Sequence, residues 1–271
     1  MTLELLKKIV LKHFETETFS QQNLSKLGDA EVYLVIINNI KYIVRITDAP
    51  YSIKNNYYCL EKLKKTSIAP KPITNGIIEE HNYSIETFLD GEIKSKLNSS
   101  KIIRVVKNLI QLHSIKNKKC GYLNPPFEDW KSFVESKLIL RESEKFKERC
   151  PNADKYLTYA LKHIPSAKDF SLLHGDLNEG NILNTKDDCF LFDFEGAIHG
   201  EKEYDISYLH FRLDFSEELV NIISKEFNYD SYKIYYYNLC IMIRKIALSP
   251  KNELKKRIEI IQRTYEKLQT F

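Results

Sequence analysis

The chain has 271 residues, 43% of them hydrophobic and 29% charged, which supports a folded core and excludes gross disorder. Lys and Arg number 41 against 37 Asp and Glu, a formal net charge of +4, and only 8 of the cations are Arg. With few fork donors for phosphate backbones or base edges and no long basic run, a dedicated nucleic-acid binder is disfavoured.

Leu3, Leu6, Val10 and Phe14 recur at helical spacing opposite a lysine-rich face and predict an amphipathic opening helix. Two β-rich runs, 32–37 and 40–46, flank Asn38-Asn39 and predict a hairpin. A helix is expected over 53–65, halted by Ala69-Pro70-Lys71-Pro72, then a strand pair over 73–78 and 83–88 that ends at Asp90-Gly91. Beyond Gly91 the period turns helical: Ile102, Val105, Val106, Leu109, Ile110 and Leu112 mark one helix. Further helices are expected over 130–147 and 154–163, parted near Cys150-Pro151. Residues 171–194 return to short apolar runs around polar turns, and Leu254, Ile258, Ile261, Tyr265 and Leu268 mark a C-terminal helix. The order predicts an α+β chain with a small β-rich lobe, 1–89, followed by a larger, mainly helical lobe, 90–271.

Five cysteines, odd in number and without a C-x-x-C, argue against a disulfide framework or a zinc knuckle and fit a reducing cytoplasm. Acid and base interrupt the first residues before any apolar segment develops, unlike a signal peptide. No run approaches the roughly 18 apolar residues of a membrane span.

The most informative stretch is Leu172-Leu173-His174-Gly175-Asp176-Leu177-Asn178-Glu179-Gly180-Asn181-Ile182-Leu183, followed by Phe190-Leu191-Phe192-Asp193-Phe194-Glu195. Strands at 181–184 and 189–192 would form a hairpin, with Asp176 in the loop before it, Asn181 at its entrance and Asp193 at its exit. Phosphoryl transfer needs such a set. One carboxylate orients and deprotonates a hydroxyl, while an amide and a second carboxylate hold Mg²⁺ on the phosphates.

The pattern H-G-D-x-x-x-x-N-I-L followed by D-F-E resembles the aminoglycoside phosphotransferase and choline kinase superfamily, the small-molecule branch of the protein-kinase-like fold. The resemblance implies that fold and a kinase using ATP or GTP with Mg²⁺. It implies Asp176 as catalytic base, Asn181 and Asp193 as Mg²⁺ ligands, and His174 and Asp205 as supports of the catalytic loop. Glu195 is read either as a loop brace or as a neighbour of the metal site. Of two same-face cations on the second hairpin strand, Arg45 matches the phosphate-facing position better than Lys41. Its usual acidic partner would fall near Asn56, which carries no charge, so either Glu61 substitutes or the ion pair is absent. Gly28 is the only glycine in the would-be phosphate loop. Thr87 and Leu89 match the hinge whose backbone holds the purine.

His113 and the run Tyr232, Tyr235, Tyr236, Tyr237 read chiefly as packing residues. A protein kinase is disfavoured by the short interval from Asp193 to Asp205 and by the lack of Ala-Pro-Glu. A non-catalytic nucleotide binder is favoured only by Asn56 and the glycine-poor loop. The segment 193–218 holds eight acids against Lys202 and Arg212. Beside an acceptor pocket that charge would favour a cationic alcohol, such as an aminoglycoside or a choline-like amino alcohol.

Overall fold

The computed structural model describes residues 2–24, 30–93 and 97–271. Helix α1 (Thr2–Phe14) and strand β1 (Ser20–Asn23) lead into β2 (Ala30–Ile37) and β3 (Ile40–Thr47). Asn38 and Asn39 both take left-handed backbone, with φ 49° and 64°. A two-residue hairpin turn demands that conformation, and asparagine tolerates it better than most side chains. The register then runs from Ile37↔Ile40 to Ala30↔Thr47. Helix α2 (Pro50–Leu63) begins with proline, where a missing N–H is harmless. Strands β4 (Pro72–Ile78) and β5 (His81–Thr87) complete an antiparallel sheet of order β1-β2-β3-β5-β4. A short β6 (Glu92–Ile93) follows.

Tyr33, Val35 and Ile37 alternate on β2 and bury one face together with Val44, Ile46, Tyr83 and Ile85. Leu5, Leu6, Ile9 and Val10 of α1 close that core. At about 1.5–3 kcal/mol gross per buried side chain, this stripe is what holds α1 on the sheet.

The helical part starts with α3 (Ser99–His113), whose N-cap Asn98 accepts from the Lys101 amide at 2.9 Å. After β7 (Lys116–Asn117) and β8 (Gly121–Tyr122) comes α4 (Trp130–Phe133). The single helix expected over 130–147 is broken. A π-helical turn spans Val134–Ile139 and a 3₁₀ turn Leu140–Glu142 before α5 (Ser143–Arg149) resumes. Val134 and Ile139 are both fully buried, and their five-residue spacing suits i→i+5 hydrogen bonding rather than the α pattern. Then come α6 (Ala153–Lys162), β9 (Phe170–Leu173), β10 (Ile182–Asn184), β11 (Cys189–Leu191) and β12 (Ile198–Gly200). Helices α7 (Glu203–Leu213), α8 (Glu217–Phe227), α9 (Ser231–Ala247) and α10 (Lys251–Leu268) end the chain.

Two compact units emerge: Met1–Ile93 with Asn181–Gly196, and Lys94–Gly180 with Ala197–Phe271. The first holds the five-stranded sheet and a small sheet β11-β10-β6. The second holds the later helices and a sheet β7-β9-β12-β8. Its centre is α9, which is buried on every side from Ile234 to Ile243. Tyr235, Tyr236 and Tyr237 belong to this core: Trp130 Nε1 donates to the Tyr237 hydroxyl at 2.6 Å, and Tyr236 donates to the Ala160 carbonyl at 2.8 Å.

Candidate active site

In the first unit a cavity of about 290 Å³ is lined by Val32 and Ile43 of the hairpin, Leu183 and Phe192 near the second hairpin, and Thr87, Phe88 and Leu89 after β5. Arg45, Glu86 and Asp193 also line it. An apolar slot with charge at one end suits a flat base joined to an anionic tail. The Thr87 amide donates to Lys71 O at 2.9 Å and the Phe88 amide to Lys41 O at 3.3 Å. The expected base contact from Thr87 can therefore be made only by its carbonyl.

Arg45 is the electrostatic centre of this unit. Its side chain is 8% exposed, with Nε 3.6 Å from Glu86 and Nη1 3.3 Å from Asp193 and 3.6 Å from Glu195. Burial works against the guanidinium charge, but the three carboxylates outweigh it and hold Arg45 protonated. Burial likewise pushes the Glu86 carboxyl up, opposed by Arg45 and by the Asn56 amide. Lys41, by contrast, is exposed, 2.7 Å from Asp90.

The acidic partner of Arg45 is thus neither absent nor Glu61, which pairs with Lys64 at 2.7 Å on the surface of α2. It is Glu86, on the neighbouring strand. In the β3–β5 register Arg45 faces Ser84 and Ile43 faces Glu86, so Arg45 and Glu86 are diagonal neighbours on one face. Asn56 serves this pair rather than replacing it. Its Nδ2 donates to Glu86 at 3.0 Å and its Oδ1 accepts from the Phe194 amide at 3.0 Å. One buried amide therefore links the anion that anchors Arg45 to the backbone just after Asp193. Asn56 no longer favours a non-catalytic protein, and Gly28 lies outside the described residues.

Asp193 adopts left-handed backbone (φ 67°), and the Phe192 amide donates to Asn181 O at 3.3 Å, which sets Asn181 beside the entry to Asp193. One guanidinium facing three carboxylates leaves the cluster short of positive charge by two. That deficit and the hard oxygen donors of Asp193 and Asn181 suit a divalent ion such as Mg²⁺.

In the second unit, one face of α7 organises the loop 174–179. Asp205, fully buried, accepts from the His174 amide at 2.8 Å and the Gly175 amide at 3.0 Å. His113 Nε2 lies 3.0 Å from the same carboxylate, and its Nδ1 lies 2.9 Å from the Tyr229 hydroxyl. Burial would raise Asp205, yet the His113 hydrogen bond, the His113 and His174 charges and the Gly175 amide hold it below the ordinary carboxylate value. Three residues on, the Tyr208 hydroxyl hydrogen-bonds Asp176; burial first, then the Asp176 charge and that bond, push the phenol well up. Four further on, Arg212 grips Glu179 through Nε at 3.0 Å and Nη2 at 2.8 Å. The 3-and-4 spacing puts Asp205, Tyr208 and Arg212 on one stripe, read by successive loop residues. Sequence reasoning identified Asp205 but missed Tyr208 and Arg212.

The acidic run 193–218 is offset in part by cations from later helices. Glu201 is buried, with Lys233 and Tyr237 on its carboxylate, and Glu203, also buried, accepts from the Asp230 amide at 3.1 Å. Asp193 and Glu195 face Arg45, Asp214 meets Arg263 at 3.5 Å, and Glu217 meets Lys267 at 3.1 Å. Three of the eight, Glu201, Asp214 and Glu217, thus each have a cation of their own, while Asp193 and Glu195 share Arg45 with Glu86.

A family model described as the phosphotransferase enzyme family matches residues 21–235. A protein LicA homolog of Mycoplasma capricolum is 25% identical over 212 residues, covering 74% of this chain and 82% of its own. A choline kinase from Cryptosporidium parvum is similar in structure, with TM-score 0.66, 17% identity and coverage of 99% of this chain and 96% of that one. An aminoglycoside phosphotransferase bound to ADP and hygromycin B aligns with TM-score 0.66 at 13% identity, over 97% of each chain. The fold is the bilobal protein-kinase-like one.

Proposed function

The chain belongs to the phosphotransferase enzyme family and is a small-molecule kinase, and from that premise we propose that it transfers the γ-phosphate of ATP or GTP to a hydroxyl of a small molecule. In this reading residues 1–89 take the nucleotide, and 90–271 carry the acceptor and the catalytic machinery. The base enters the slot beside Val32, Ile43, Leu183 and Phe192, its polar edge met by the Thr87 carbonyl and the Leu89 backbone. Arg45 neutralises the α- and β-phosphates. Asn181 and Asp193 hold Mg²⁺, which when bound screens the phosphate charge. Asp176 orients the acceptor hydroxyl and takes its proton, Tyr208 fixes the Asp176 carboxylate, and Asp205 fixes the loop that bears it.

The observation that carries this reading is Arg45. A buried cation at the cavity wall, facing more negative charge than it can neutralise, calls for a divalent ion and, with it, a polyphosphate. The choline kinase and hygromycin-binding relatives keep amino alcohols and aminoglycosides among the acceptors to screen. The acidic run 193–218 supports them only in part, because Glu201, Asp214 and Glu217 are each paired with a cation. All five cysteines are buried thiols, which suits the reducing cytoplasm in which we place the enzyme.

The test is nucleotide consumption over a panel of small alcohols. Asp176→Asn should lower turnover by about 10²–10⁴-fold while leaving nucleotide binding intact. Asp193→Ala should abolish Mg²⁺-dependent nucleotide binding. Wild-type turnover in both variants would refute the assignment.

A further inference from the structure

Arg244 and Lys245 lie in the last turn of α9, and Lys245 stacks over the Tyr208 and Phe211 rings. Among the described residues neither side chain makes an ion pair or a hydrogen bond, and the Arg244 Nε is buried and unsatisfied. Both residues are half-buried, and a buried guanidinium nitrogen without a partner is uncommon. Capping α9 does not account for it. The Lys245 carbonyl is already taken by Arg257 Nη1 at 2.8 Å and Ser249 Oγ at 2.7 Å, and the Ala247 carbonyl by Arg149 Nη1 at 2.7 Å.

Both residues line a narrow cleft of about 10 Å³ with Leu138, Tyr204 and Tyr208, room for about one water, so an anion would meet them at its mouth. Tyr208 is the residue that bonds Asp176, so the cleft adjoins the loop whose aspartate is read as the base. The charges there are Asp176, Arg212, Arg244, Lys245 and Arg257, with Glu179 committed to Arg212 and Glu253 to Arg257. Burial pushes the Lys245 ammonium down; Asp176 pulls it back up, and Arg244, Arg212 and Arg257 push it down again. Setting the two committed pairs aside leaves two cations against Asp176 alone.

The aromatic faces tell the same story. A quaternary or primary amine is recognised over ring faces. Here Lys245 Nζ already sits 4.9 Å from the Tyr208 ring centre and 5.9 Å from that of Phe211, which Arg257 also covers at 5.5 Å. An ammonium acceptor would have to displace the protein's own cations.

We propose that the acceptor alcohol carries an oxyanion, a carboxylate or a phosphate, that seats on Arg244 and Lys245. The proposal rests on reading Asp176 as the proton acceptor. The acceptor hydroxyl oxygen bonds to the γ-phosphorus while the bond to the β–γ bridging oxygen breaks. The nucleoside diphosphate leaves with that electron pair, and the hydroxyl proton passes to Asp176. Arg244 and Lys245 bind the remote anion, which aims the hydroxyl and repels ammonium competitors.

The test is direct binding, by calorimetry, of glycerate, glycerol 3-phosphate and choline to protein saturated with the non-hydrolysable analogue AMP-PNP and Mg²⁺. At least one of the two anions should bind while choline does not. Lys245→Gln and Arg244→Gln should each weaken the anion about tenfold, the loss of one charge-assisted contact, while Lys245→Arg retains it. Which anion wins separates a hydroxy acid from a sugar phosphate as the acceptor class. Tighter binding of choline, no binding of either anion, or anion binding unchanged in both Gln variants would overturn the proposal. Failure of the phosphotransferase reading shows separately, as AMP-PNP failing to bind, and the anion series is then run on the free protein.

Discussion

Replacing Glu86 by Gln removes the anion that the neighbouring strand supplies to Arg45. Breaking a buried ion pair from one side costs about 3–5 kcal/mol when the remaining charge is left without compensation. Arg45 keeps Asp193 and Glu195, but both are 34% exposed and screened by solvent. The expected loss is therefore smaller, about 1–3 kcal/mol. Asn56→Asp alone should cost at least as much, since it sets a second buried carboxylate against Glu86. Made together, the two changes exchange donor and acceptor across the same contact. A carboxylate on α2 accepts from both the Phe194 amide and the new side-chain amide on β5. The double variant should recover at least about 1 kcal/mol relative to the sum of the single ones. The assays are urea-denaturation midpoints and nucleotide KM. The Glu86→Gln variant should raise KM about tenfold as Arg45 turns wholly to Asp193, and the exchange should restore part of it. Strict additivity of the two changes, or a Glu86→Gln protein as stable as wild type, would refute the linkage.

Two further outcomes follow from the second unit. Tyr208→Phe removes the hydroxyl on Asp176 with little change in packing and should lower kcat about tenfold while leaving nucleotide KM unchanged; equal effects on both would show a folding defect instead. His210 is buried, its Nδ1 accepts from the Phe215 amide at 3.0 Å, and burial pushes its pKa down to about 4. Between that value and the ordinary 6.5 the unfolded chain binds the proton and the folded one does not, so stability should fall as pH drops through this window, by on the order of 3 kcal/mol. A His210→Gln variant, which can still accept from Phe215, should lose that slope in urea titrations at pH 7 and pH 4; an unchanged slope would assign it to another group.

What the sequence made legible was local. Asn38-Asn39 dictates its own turn, and the apolar periods of α1, α3 and α10 dictate their buried stripes. Asp205 could be marked as a support of the loop only through the resemblance of the motif to a known family. Glu86 could not be found that way. Its link to Arg45 depends on the β3–β5 register, and α2 and β4 intervene between those strands in the chain. The break after Trp130 was hidden for a different reason: a π turn keeps the same apolar residues buried while changing only the hydrogen-bond step. Tyr208 stood in the open, one helical turn from Asp205. What was missing was the position of its partner, a loop residue with no period of its own.

Charge counted along a segment misled more than any helix boundary. The carboxylates of 193–218 are close in sequence, yet Glu201 answers to Lys233, Asp214 to Arg263 and Glu217 to Lys267, each on a later helix. Arg244 and Lys245, which make no ion pair among the described residues, lie outside that segment altogether. Folding pairs charges by the faces that helices present, so a segment's net charge reports the field at a site only where its partners lie in the same segment. On the proposal made above, that distinction reverses the sign of the acceptor. An acidic stretch beside the motif argues for an amine, whereas the charges left over once every visible pair is closed argue for an anion.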